Sequence, residues 1–155
     1  QLGATSVMQS ALITIHITLA MIGSFLTSWR GVRVTAHQWV YASFVFLAGG
    51  IFIAALAPSL PILFIAPVFT GLGLGVGYPV LMGMSIVKVH DTERTIAMGL
   101  HQATYAIGMF IGPAISGAIA DAIGLQPMFG MTAVVTLVLG ITGMRLFEIS
   151  SARAS

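Results

Sequence analysis

Residues 34–87 read VTAHQWVYASFVFLAGGIFIAALAPSLPILFIAPVFTGLGLGVGYPVLMGMSIV, a run without a single Asp, Glu, Lys or Arg. A bilayer core about 30 Å thick takes about 20 apolar residues at about 1.5 Å rise each, so the run is long enough for two membrane-crossing helices. It divides at Ala57-Pro58-Ser59-Leu60-Pro61. Two prolines this close remove backbone donors and disfavour helix at the residue before each, which marks a turn at the membrane surface.

Three further uncharged gaps flank this run, Gln1–Trp29, Thr95–Ala120 and Ala122–Met144, each the length of one helix. The predicted spans are about 6–28, 38–57, 61–87, 95–119 and 126–147, one transmembrane domain over residues 1–155. Composition agrees: 57% of the residues are hydrophobic and 6% charged, against about 25% charged in a soluble domain. There is too little polar surface to coat a water-soluble globule. Strands are excluded because a membrane barrel needs short segments of alternating polarity, whereas these runs are continuously apolar. The expected fold is an all-α integral membrane bundle of five helices.

The charged residues punctuate these spans. Arg30 and Arg33 follow the first span, Lys88 and Arg94 the third, and Arg145 and Arg153 the fifth, while the alternate loops hold no Lys or Arg. By the positive-inside rule the basic side is cytoplasmic, which puts the carboxy terminus inside; the expected location is a plasma membrane, the inner membrane of a bacterium. A net charge of +2 from six scattered basic residues makes no nucleic-acid patch. The absence of cysteine excludes disulfides, thiolate metal sites and a cysteine nucleophile. The chain does not begin with Met, and its first apolar stretch lacks a basic n-region and a small-residue cleavage site, so no signal peptide is expected and Gln1 reads as a point within a longer sequence.

Gly71-Leu-Gly-Leu-Gly-Val-Gly77 lies inside a span, not between a strand and a helix at a solvent edge, which argues against a phosphate loop. Glycines four apart, such as Gly71 and Gly75, instead let helix backbones approach in lipid. Tyr78-Pro79 follows and invites a bend. In the fourth span Gly108, Gly112 and Gly117 recur four and five residues apart with Pro113 beside them, again a packing and kinking pattern. His90, Asp91 and Glu93 are adjacent in a surface turn, but no second cluster has metal-ligand spacing. No acid stands near a membrane-depth histidine to build a catalytic triad. No metal, cofactor or enzymatic activity is expected.

Taken in order, GxGxGxGYP from Gly71, a short charged loop ending Glu93-Arg94, and AMGLHQATYAIGMFIGPAISGAIAD to Asp121 resemble the tenth and eleventh helices of a major facilitator transporter. GxxxGPxxxG at Gly108–Gly117 is similar to the glycine-proline motif of the family's antiporters. Gly23-Ser-Phe-Leu-Thr-Ser-Trp-Arg-Gly-Val-Arg33 stands where the family has its GxxxDRxGRR loop, with Thr27 or Ser28 in place of the acid. That degeneracy favours helices eight to twelve of a twelve-helix fold, the carboxy-terminal part; the alternative is helices two to six. The resemblance implies a secondary transporter that moves a small solute by alternating access, completed by an amino-terminal half outside this chain. It also implies that spans one, three and four line the cavity.

On those spans the candidate solute-binding residues are His16, Tyr78, Gln102 and Tyr105. Gln9, His16 and Thr27 fall near one helical face, and a mid-membrane histidine is costly unless it faces protein or water. The plainer role for His16 is a hydrogen bond to a neighbouring helix. His101 and Tyr105 lie four apart with Gln102 beside them, suited either to solute or to anchoring at the interface; Tyr78 and Met82 suit either the cavity or packing. Arg30, Arg33, Asp91 and Arg94 are the candidate gating residues, whose plainer reading is a solvated charged turn. A coupling proton, if transport uses one, would have His16 or residues outside this chain as its site. The lack of mid-span charge favours a neutral or hydrophobic solute. A non-transporting scaffold or a channel subunit assembled through glycine faces is the rival reading, with an intramembrane enzyme a distant third.

Overall fold

The computed structural model describes residues 5–30 and 35–153, with six α-helices: α1 (Ser6–Arg30), α2 (Ala36–Leu56), α3 (Leu60–Leu63), α4 (Ala66–Ile86), α5 (Arg94–Ile123) and α6 (Leu125–Arg153). A short 3-10 turn, Asp91–Glu93, leads into α5, and no strand occurs among the described residues. Five segments are long and apolar enough to cross a membrane, with α3 and α4 together forming one of them, Leu60–Ile86. The chain is the all-α membrane bundle that the spacing of its charges predicts.

Local chemistry sets the ends of these helices. Thr35 caps α2: its Oγ1 accepts the Gln38 N–H at 3.4 Å, while the Gln38 side chain accepts the Thr35 N–H at 3.3 Å, a reciprocal capping box. Pro61 and Pro67 each occupy a first helical turn, where a missing N–H costs nothing. The chain therefore restarts its helix between α3 and α4 rather than running one rod from residue 61. At the far end α5 passes Asp121 and stops only at Gly124, whose φ of +92° is the one positive φ among the described residues. That backbone conformation suits glycine, and nothing before it breaks the helix.

Packing centres on α4, and the alternate-residue glycines explain how. Residues two apart on a helix face nearly opposite ways. A Cβ on Gly71 or Gly75 would collide with the backbone carbonyl of His16 or Ala20 on α1; one on Gly73 or Gly77 would meet Ser43 on α2 at 2.9 and 2.7 Å. Two interleaved glycine faces thus seat α4 between α1, which runs parallel to it, and α2, which runs antiparallel. Such close approach replaces the hydrophobic drive that helices lack in lipid. Helix α2 then carries α6 on its other side, where a Cβ on Gly140 would run into the Phe44 ring.

One polar contact in this core has a specific cause. Pro79 has no N–H to donate to the Gly75 carbonyl four residues earlier. Ser24 Oγ on α1 donates to that same carbonyl at 2.9 Å. The neighbouring helix therefore supplies the hydrogen bond that the proline removes, as a bilayer interior requires.

Helix α5 is the exception to this packing. None of its residues is buried, and a Cβ at Gly108, Gly112 or Gly117 would meet nothing within 4 Å. It is tied to α4 through residues 101–105 and joined to α6 by the turn at Gly124.

Candidate functional site

One cluster of polar and aromatic side chains lies where α5 meets α4. Gln102 Nε2 donates to Tyr78 Oη at 2.6 Å, and the Tyr78 and Tyr105 rings meet edge-to-face with centroids 5.1 Å apart. His101 stands against the same Tyr78 ring at 6.2 Å, and its Nδ1 lies 2.9 Å from Ser85 Oγ. Helical spacing accounts for the cluster. Tyr78 and Ser85 are two turns apart on α4, and His101 and Tyr105 one turn apart on α5, so each pair shares a face. Gln102 and Tyr105 remain exposed in this structure, with Tyr105 at 38% of full exposure.

Three of the four residues singled out from the sequence, Tyr78, Gln102 and Tyr105, are thus brought together. The fourth, His16, lies apart: its Nδ1 is 3.0 Å from Thr70 Oγ1, near the other end of α4. This is the interhelical hydrogen bond that the sequence offered as its plainer role. Thr27 is buried and donates to the Ser24 carbonyl at 2.8 Å, whereas Gln9 is exposed. Sequence reasoning passed over Ser85, Thr70 and Ser24. Each is a small hydroxyl in an apolar run, and only the register between helices reveals what it meets.

At the charged turn, Asp91 and Arg94 pair with each other at 2.9 Å while staying 81% and 49% exposed. Such an i, i+3 pair in water contributes well under about 1 kcal/mol. Arg94 Nε also donates to the Val89 carbonyl at 3.4 Å. Arg33 lies outside the described residues, as does the side chain of Arg30.

An apolar cavity of about 290 Å³ opens between α2, α4 and α6, lined by Phe44, Leu81, Met84, Leu139, Met144 and Phe147, with Ser85 at its polar edge. No group of three or more His, Asp or Glu side chains among the described residues is placed to hold a metal ion.

Five helical segments long and apolar enough to cross a membrane, with the glycine-seated α4 between α1 and α2 and a polar aromatic cleft on its flank, define a multi-pass helical membrane protein. The family profile of the Major Facilitator Superfamily matches residues 1–155, and the chain belongs to that family. It is 32% identical over 106 residues to the lincomycin resistance protein LmrB of Bacillus subtilis (strain 168), across 66% of this chain and 22% of that protein. It is 28% identical over 138 residues to YcnB of the same organism, an uncharacterized MFS-type transporter, across 87% of this chain and 27% of that protein. The chain spans about a quarter of the length of the curated relatives it matches.

Proposed function

We propose that this chain supplies helices eight to twelve of a secondary transporter that moves a small solute across a bacterial plasma membrane by alternating access. The observation that carries the reading is the cleft between α4 and α5, where Tyr78, Gln102 and Tyr105 join by hydrogen bond and ring contact while Gln102 and Tyr105 stay open. In this reading these three residues contact the solute and His16 lines the same cavity from α1. The side bearing Arg30, Arg33, Lys88, Arg94, Arg145 and Arg153 faces the cytoplasm. Asp91 and Arg94, with Arg30 and Arg33, belong to the gate there. An amino-terminal half completes the cavity, so this chain alone does not transport. The name of one relative makes lincomycin the first solute to test.

The chain holds no cysteine, which suits a test by labelling. Tyr105→Cys in the full transporter, freed of any other cysteine, is exposed to a membrane-impermeant maleimide from each side in turn. Alternating access predicts modification from both sides, and counterflow of labelled lincomycin in proteoliposomes. A scaffold would be labelled from one side at most, and a channel from both sides without counterflow. Either result would replace the transporter reading.

A further inference from the structure

The hydrogen atoms in the α4–α5 cleft can be counted, and the count assigns a role to His101. Ser85 has one hydroxyl hydrogen. Its Oγ donates to the Leu81 carbonyl at 2.9 Å, and a carbonyl only accepts. The 2.9 Å contact between Ser85 Oγ and His101 Nδ1 therefore needs its hydrogen from the imidazole. A neutral ring that carries its proton on Nδ1 leaves Nε2 as a bare acceptor. Nε2 has no hydrogen-bond partner among the described residues, and it is not sealed off, since the one buried side-chain nitrogen or oxygen without a partner there is Trp39 Nε1.

Tyr78 completes the pattern. Its Oη accepts from Gln102 Nε2, so its own hydroxyl hydrogen is unspent, as is the acceptor Gln102 Oε1. Gln102 Nε2 also keeps its second hydrogen, so the cleft offers two acceptors, two donors and an edge-to-face pair of rings. Residues 34–87 and 95–120 contribute no Asp, Glu, Lys or Arg, so a carboxylate, phosphate or dication would find no counter-charge from the stretches of α4 and α5 that form the cleft.

We propose that His101, held as its Nδ1–H tautomer by Ser85, is a further solute-recognising residue. Its Nε2 accepts a hydrogen bond from a hydroxyl or amide N–H of an uncharged solute whose apolar part lies on the Tyr78–Tyr105 pair. The proposal rests on the transporter reading for its biological meaning, but its test does not. If His101 and Ser85 only fastened α4 to α5, the same tautomer would be needed, but no hydrogen-bond donor would find the free Nε2 and the ring would not tell a donating probe from one that cannot donate.

The test is nitrogen-15 NMR of the full transporter in lipid nanodiscs, with the histidine rings labelled and the His101 signals assigned by their loss in His101→Gln. The expected result is a protonated Nδ1 and an unprotonated Nε2. Ser85→Thr, which keeps the hydroxyl, retains that state, and Ser85→Ala shifts the population towards Nε2–H. Benzyl alcohol, which can donate, should then move the Nε2 resonance several-fold more than benzyl methyl ether, which cannot. A wild-type ring protonated on Nε2 overturns the proposal, as does an equal response to the two probes. Failure of lincomycin counterflow with the tautomer and the alcohol response intact would instead count against the transport reading.

Discussion

At the scale of single residues, hydrogen bonds that the backbone has lost govern the chemistry of this chain. Pro79 strips the Gly75 carbonyl of its helical donor and Ser24 replaces it from the next helix at 2.9 Å. Interhelical hydrogen bonds in membranes average about 0.6 kcal/mol and reach about 1.7, and a carbonyl left bare in lipid belongs at the upper end. Ser24→Ala should therefore cost about 1 kcal/mol in the full protein, read as unfolding in mixed detergent micelles. In a Pro79→Ala background the restored backbone N–H reaches the same carbonyl, and the cost of Ser24→Ala should fall close to zero. Equal costs in the two backgrounds would show that Ser24 acts elsewhere. Trp39 presents the opposite case, a buried indole N–H with no partner among the described residues. Trp39→Phe removes that unmet donor while keeping an aromatic ring, so the same unfolding assay should read within about 1 kcal/mol of wild type, on the stabilising side if repacking is complete.

Among the helices, α4 shows how an element can be built for its neighbours. Gly75 lies against the Ala20 backbone, which cannot swing aside as a side chain would, whereas a Cβ at Gly83 on the same helix meets nothing within 4 Å. Gly75→Ala should cost about 1–3 kcal/mol through overpacking. Gly83→Ala should be neutral or mildly stabilising, because alanine is the better helix former. The contrast separates packing from propensity, and similar costs at the two sites would refute the interleaved-face account. The spans were legible in the sequence because charges and prolines mark water and lipid so sharply that residues 34–87 alone call for two helices. Gly71 and Gly75 were legible as a packing pair from their spacing of four. That Gly73 and Gly77 form a second face was not, because one helix in isolation does not reveal that it has a neighbour on both sides. The cleft was half legible for the same reason: Tyr78, Gln102 and Tyr105 announce themselves as polar groups at membrane depth, but Ser85 acquires meaning only when α5 folds back and brings His101 to within 2.9 Å of it.

Across the whole molecule, the unfinished surface is α5. Its Gly108 and Gly112 repeat the spacing of four that packs α4, yet neither they nor Gly117 meet anything within this chain. Lipid gives a helix no reason to keep Gly108 and Gly112 on one side, since each costs helix stability of roughly 1 kcal/mol relative to alanine. A backbone pressed against that face would repay the cost, and this chain covers only 22% and 27% of the relatives it matches. In the full transporter Gly112→Leu should therefore destabilise by more than about 1 kcal/mol through overpacking and lower the rate of lincomycin counterflow. Val135→Leu on α6 is the matched control: Val135 is 51% exposed, and adding a methylene to a side chain outside a glycine face should leave both quantities at wild-type values. If Gly112→Leu proves as silent as Val135→Leu, the glycine face of α5 looks onto lipid, and the completing helices must dock on α1 and on the α4–α5 cleft instead. In the transport reading proposed above, that outcome would add α1, with His16, to the cavity wall beside Gln102 and Tyr105.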